Sequence, residues 1–247
     1  MKFLKLTLRF ILFYSFFMLF TQQHFAQTSK IEKLSKLLST EKTDSNRVTL
    51  LWQLAEQYQA FKPDTSLQLA QEALLLAQRI KFTEGESRSL ALLATSQYFL
   101  GNYPKALDNY ILKLKIEEKR NSPRNYASAL NNIGLTYIFL EDYINAREYL
   151  YRADSLVNVT GGKTKEELKY KIEVNIGETY YRMKIPDSAF KYFNSALRVA
   201  NFSKDSAAMG AAILGKANVF ALENETQKSL RFYSDAYSLL KEGSDAD

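Results

Sequence analysis

Few residues in this 247-residue chain have the types and spacing that chemistry requires. There is one histidine, His24, and no cysteine. Without cysteine there is no thiolate nucleophile, no disulfide and no thiolate zinc site. Glu117 and Glu118 form an adjacent carboxylate pair, but they sit in the run KLKIEEKR. Mixed charges at helical spacing read as a solvated, ion-paired face. Gly161-Gly162-Lys163-Thr164 resembles the end of a phosphate-binding loop. It lacks the first glycine four residues ahead and a preceding strand, and that loop needs both. It therefore reads as a turn. Asn158-Val159-Thr160 and Asn224-Glu225-Thr226 match a glycosylation acceptor pattern, which has force only in a host with the machinery. No convergent constellation emerges, so no catalytic residue, metal ligand or cofactor is expected.

His24 itself belongs to an N-terminal leader. Met1 to Arg9 is basic, Phe10 to Phe20 is an apolar run, and a polar stretch with Ala26 follows. A basic segment, a short apolar run and a small residue are the pattern of a secretory signal peptide. Spanning a bilayer takes ~20 apolar residues, so this run is short for an anchor. The expectation is a signal peptide over residues 1–26, cleaved after Ala26. The chain would then be exported, to the periplasm, the cell envelope or the outside. Lys2, Lys5 and Arg9 leave with the leader. The formal charge falls from +6 to +3, with 30 basic and 27 acidic residues over the remaining 221. That balance lacks the concentrated basic field of a nucleic-acid binder. After signal removal no membrane insertion is expected unless the chain continues, and the mature chain has no imidazole.

The elements that would position any functional residue recur. PDTSLQLAQEAL, PKALDNYILKL, YINAREYLYRAD, PDSAFKYFNSAL and TQKSLRFYSDAY align from Pro63, Pro104, Tyr143, Pro186 and Thr226. Ser66, Ala106, Ala146, Ala189 and Ser229 hold one small position, at spacings of 40, 40, 43 and 40. Seven residues on lie Ala73, Lys113, Ala153, Ala196 and Ala236, on the same helical face. Each segment follows another with small Ala55, Ala94, Gly134, Gly177 and Ala217. There apolar residues fall at i, i+3, i+4 and i+7, as in Leu130, Ile133, Gly134 and Tyr137. Short turns join the two, and Pro63, Pro104 and Pro186 lie at helix starts, where the first amide has no helical partner. Pro123 falls between repeats in NSPRN.

Paired helices with small residues at fixed places resemble the tetratricopeptide repeat. Gly134, Ala146 and Ala153 with Tyr137, and Gly177, Ala189 and Ala196 with Tyr180 and Phe193, carry the resemblance. Lys113, Ser66 and Ser229 depart from alanine, no repeat has the family tryptophan in its usual place, and the period exceeds 34 residues. The implied fold is all-α: an α-solenoid of about five helix-turn-helix repeats forming a right-handed superhelix. Its repeats run over about 46–82, 83–121, 122–162, 163–202 and 203–241. An N-terminal capping helix is expected over 27–45, with Ile31, Leu34, Leu37 and Leu38 on one face.

In this family the first helices line a groove that receives extended peptides. Carried over by position, the resemblance implies Arg88 and Tyr98 in repeat two, and Asn131 and Asn132 in repeat three. Lys171, Asn175, Glu178, Tyr181 and Arg182 follow in repeat four, and Asn218 in repeat five. Asparagine offers a donor and an acceptor to a peptide backbone. Alternatively, Asn132, Asn175 and Asn218 bond neighbouring helices within the stack, and Tyr98 and Tyr181 pack between repeats. The Lys and Asn constellation of members that clamp a C-terminal carboxylate is not reproduced. The expected function is a non-enzymatic scaffold binding a protein or peptide. The alternative is the N-terminal sensory module of a longer signal-transduction protein, a histidine kinase or DNA-binding regulator. In that case transmembrane and output parts lie beyond Asp247. No separate capping helix follows SLLKEGSDAD, and the natural chain is expected to continue.

Overall fold

The structure, a computed structural model, describes residues 29–157 and 163–244. The leader with His24, the pair Gly161-Gly162 and the acceptor Asn158 lie outside the described residues. Every regular element among the described residues is a helix. Helix α1 covers 29–40. It is followed by α2 (Asp44–Tyr58), α3 (Pro63–Arg79), α4 (Thr83–Phe99) and α5 (Tyr103–Lys119). Then come α6 (Pro123–Phe139), α7 (Tyr143–Val157), α8 (Lys163–Arg182), α9 (Pro186–Ser203), α10 (Ser206–Leu222) and α11 (Thr226–Ser244). The fold is an all-α helical-repeat solenoid. First helices are α2, α4, α6, α8 and α10, and second helices are the odd-numbered ones from α3. The chain divides into two compact units, Met1–Leu100 and Gly101–Asp247.

All four prolines sit in a first turn: Pro63 in α3, Pro104 in α5, Pro123 in α6 and Pro186 in α9. Pro123 is thus a helix start and not part of an inter-repeat linker, because its fixed φ suits a first turn as well as a loop. Asp44 and Ser45 likewise open α2 rather than close the preceding helix. Leu34 of α1 is buried, whereas Leu37 is exposed.

Most of the described turns close through a left-handed residue, the α2–α3 turn over 59–62 being an exception. Lys81, Asn121, Glu141, Lys184, Lys204 and Asn224 adopt left-handed backbone, as does Gly101. At Glu141 the amide donates to Ile138 O at 3.1 Å, and the next amide, of Asp142, donates to Tyr137 O at 3.0 Å. These paired bonds satisfy the last carbonyls of a helix. The same pair recurs at Lys184 with Ile185 and at Asn224 with Glu225. This turn geometry, repeated at these positions, folds each helix back on the one before it.

Small residues act where helices meet. A Cβ on Gly134 would stand 2.6 Å from Leu150 Cγ, so α6 and α7 approach closely there. Phe193 of α9, 1% exposed, fills space left by two glycines. A Cβ would meet its ring at 2.9 Å from Gly177 of α8 and at 2.4 Å from Gly215 of α10. Where alanine is replaced, the added polar atom is satisfied, as burial requires. In the first unit the Ser96 hydroxyl donates to Ser66 Oγ at 2.9 Å. In the second, the Ser229 hydroxyl donates to the Ala217 carbonyl at 3.1 Å. Lys113, 8% exposed, lies 3.6 Å from Glu117. Glu117 is itself 1% exposed and accepts from Arg120 at 3.0 and 3.2 Å. The expected solvated face at Glu117-Glu118 is therefore corrected. Glu118 is exposed, but Glu117 turns inward, because an ammonium on a small-residue position needs a carboxylate beside it.

Candidate functional site

In the second unit the first helices α6, α8 and α10 pack in succession, α6 on α8 and α8 on α10. Side chains at matching positions of neighbouring first helices can therefore meet. Asn175 Nδ2 donates to Asn131 Oδ1 at 2.9 Å, and Asn131 Nδ2 donates to Asn132 Oδ1 at 3.2 Å. Asn131 is buried, 5% exposed, while Asn132 and Asn175 are half-buried. The three asparagines form a chain across two helices. Further along the same helices, Arg182 lies over the Phe139 ring at 5.8 Å and donates from Nε to Glu178 Oε1 at 2.7 Å. The Glu178 bond holds the Arg182 guanidinium above its usual range. Phe139 also packs on Tyr103 at 5.3 Å. Lys171 is exposed and donates to Glu167 at 2.7 Å, which holds that carboxyl below its usual range.

In the first unit Arg88 lies over the Trp52 ring at 4.7 Å, across the pair α2 and α4, and donates to Glu84 at 3.1 Å. Tyr98 is half-buried, with its ring 5.9 Å from Phe99.

Two expected residues pack inward. Tyr181 joins the cluster of Ala189, Phe193 and Val219. Asn218 accepts from the Tyr233 hydroxyl of α11 at 2.7 Å. Of the alternatives for the asparagines, Asn175 and Asn218 make the bond between helices. Asn132 bonds within its own helix.

Sequence reasoning missed the aromatic partners. Trp52 and Phe139 lie about one repeat before Arg88 and Arg182, so a ring followed one period later by a cation was the available signal. It also missed a polar seam between α7, α8 and α9. The Tyr151 and Tyr180 hydroxyls are 2.6 Å apart, and the Tyr192 hydroxyl donates to Tyr151 at 3.3 Å. Lys169 donates to Asp154 at 2.5 Å and lies 3.3 Å from Glu173. The Ser195 hydroxyl donates to buried Glu173 at 2.8 Å. Among the described residues no group of histidine, cysteine, aspartate or glutamate is placed to hold a metal ion.

Residues 21–150 match the family described as the SusR N-terminal TPR domain, a span of just over half the chain. No curated protein sequence matches. Solved structures share the fold. BtubC (BKLC) from P. vanneervenii is 20% identical over 89% of this chain and 90% of its own, with a TM-score of 0.67. A Rap protein complexed with competence and sporulation factor is 14% identical over 92% of this chain and 74% of its own, with a TM-score of 0.67. A signal-transduction ATPase with a tetratricopeptide repeat sensor, from Pyrococcus horikoshii, is 16% identical. It covers 87% of this chain and 36% of its own, with a TM-score of 0.69. At these identities the likeness is one of fold.

Proposed function

The chain belongs to the SusR N-terminal TPR domain family of tetratricopeptide-repeat proteins, and from that premise we propose that it is an exported, non-enzymatic scaffold. It binds an extended peptide or a partner protein along its first helices. The observation that carries this reading is the cation stacked on a ring of the preceding first helix. Arg182 on Phe139 in the second unit and Arg88 on Trp52 in the first each keep over a third of the side chain exposed. Such a stack holds the guanidinium ready without ordering cost at binding, and its free N–H groups suit a carbonyl or carboxylate. Glu178 orients the Arg182 guanidinium from one turn earlier on the same helix. That a Rap protein of this fold was crystallised with competence and sporulation factor supports a binding role. Selection of displayed ten-residue peptides on the purified chain tests it. A shared sequence among the winners is expected. Failure to enrich any, with the chain folded, overturns the reading.

One observation favours a second reading, the sensory module of a longer signal-transduction protein. The matched family is described as an N-terminal domain of SusR, and the P. horikoshii neighbour carries its repeats as a sensor. The reading frame after Asp247 tests this. An apolar segment of ~20 residues followed by an output domain supports it, and a stop codon removes it.

A further inference from the structure

Cations on rings recur on the first helices, but one of them differs. Arg88 and Arg182 are each held by a glutamate four residues earlier. Lys216 of α10 lies between two rings, with Nζ 5.0 Å from the centre of Phe190 and 4.9 Å from that of Phe232. Phe220 closes the box, 5.4 Å from Phe190 and 5.0 Å from Phe232. Lys216 is half-buried, and among the described residues no carboxylate lies within ion-pair reach of it. Burial alone pulls its ammonium below the usual lysine range. Counting back from the small residues, the same position holds Leu93, Ile133 and Ile176. A charge therefore stands where the other repeats place an aliphatic core residue.

A desolvated ammonium without a counter-charge is costly, and packing alone would be better served by isoleucine. The rings Phe190 and Phe232 belong to second helices, α9 and α11, whereas the rings under Arg88 and Arg182 belong to first helices. At its rim Lys228 lies over Phe220 at 5.6 Å, already paired with Glu225. We propose that the Phe190–Lys216–Phe232 box is a second binding site, which takes a carboxylate carried next to an aromatic group on a partner peptide. The carboxylate supplies the counter-charge that Lys216 lacks, and the aromatic neighbour packs on the phenyl rings. This inference does not rest on the groove reading, because no residue is shared.

The test uses the full chain with its lysines labelled by 13C-dimethylation, so that each amine gives an NMR signal. Acetyl-Phe-Glu-amide carries a side-chain carboxylate, acetyl-Gly-Phe free acid a terminal one, and acetyl-Phe-Gln-amide none. A saturable shift confined to Lys216 is expected with one or both acids, and which acid acts names the source. The neutral peptide should bind at least tenfold more weakly. Lys216→Met, which restores an apolar residue, should melt no lower than the parent and lose the acid binding at least tenfold. Arg182→Ala should leave it unchanged. No saturation with either acid, equal binding of the neutral peptide, or full binding by Lys216→Met overturns the proposal.

Discussion

Asn175 donates to Asn131 at 2.9 Å, and that single bond ties the first helix of one repeat to the first helix of the next. Asn131 is nearly buried, so its carbonyl has no ready substitute in water. Asn175→Ala is expected to destabilise by about 1–3 kcal/mol, the cost of a stranded buried acceptor. Adding Asn131→Ala should cost less than the sum of the two single changes, since the acceptor then disappears too. Urea unfolding of the four proteins, followed by circular dichroism, measures both effects. Strict additivity would show that the bond carries no coupling.

Phe193 and Gly215 set the spacing of α9 and α10. Gly215→Ala puts a Cβ 2.4 Å from the Phe193 ring and should cost about 1–3 kcal/mol through overpacking. Phe193→Leu in the same chain should recover part of that loss. Thermal melts of the single and double variants check it. A melting point unmoved by Gly215→Ala would contradict the contact.

Glu117 offsets a lysine on a position built for alanine. Glu117→Leu leaves Lys113 without the carboxylate at 3.6 Å and should cost about 3 kcal/mol, as breaking a buried pair does. Replacing both, with Lys113→Ala and Glu117→Leu, should return stability to near the parent or above it. The urea midpoint reports the result, and a double variant as weak as the single one would count against the pairing.

Alkali should loosen the seam between α7, α8 and α9. Burial and the Tyr180 and Tyr192 hydroxyls push Tyr151 above the usual tyrosine range. Burial pulls Lys169 down, but the Asp154 and Glu173 carboxylates outweigh it and hold Lys169 above the usual lysine range. Both groups keep their protons longer folded than unfolded. Their stabilisation is therefore complete below the unfolded pKa values, about 10 for each, and is lost as pH rises through the folded ones. Melting temperature should be level from pH 7 to 9 and fall above about pH 10, less steeply in Tyr151→Phe. The same fall in parent and variant would remove Tyr151 from the account.

The helix pairs were legible because burial demands are periodic. Gly134 and Gly177 recur at the position where a second helix crosses, and any Cβ there would strike Leu150 or Phe193. Gly215 was not legible in this way, because it sits outside the repeated small position and answers to a ring from the preceding repeat. Glu117 was misread for a related reason. Its neighbours in sequence are charged, but its partner Lys113 lies one turn back and faces inward. The first-helix candidates were named by position, but the rings beneath Arg88 and Arg182 were not, since stacking between repeats joins residues about forty apart. Lys216 was not singled out at all, because periodicity alone does not show which neighbouring rings close around it.

The most direct test of the scaffold account is the affinity of a display-selected peptide, measured by fluorescence anisotropy against three proteins. These are the parent, Arg182→Ala on the first-helix row, and Arg198→Ala, an exposed residue of α9. The account predicts at least a tenfold rise in Kd for Arg182→Ala and less than a twofold change for Arg198→Ala. Equal affinity for all three proteins would contradict it.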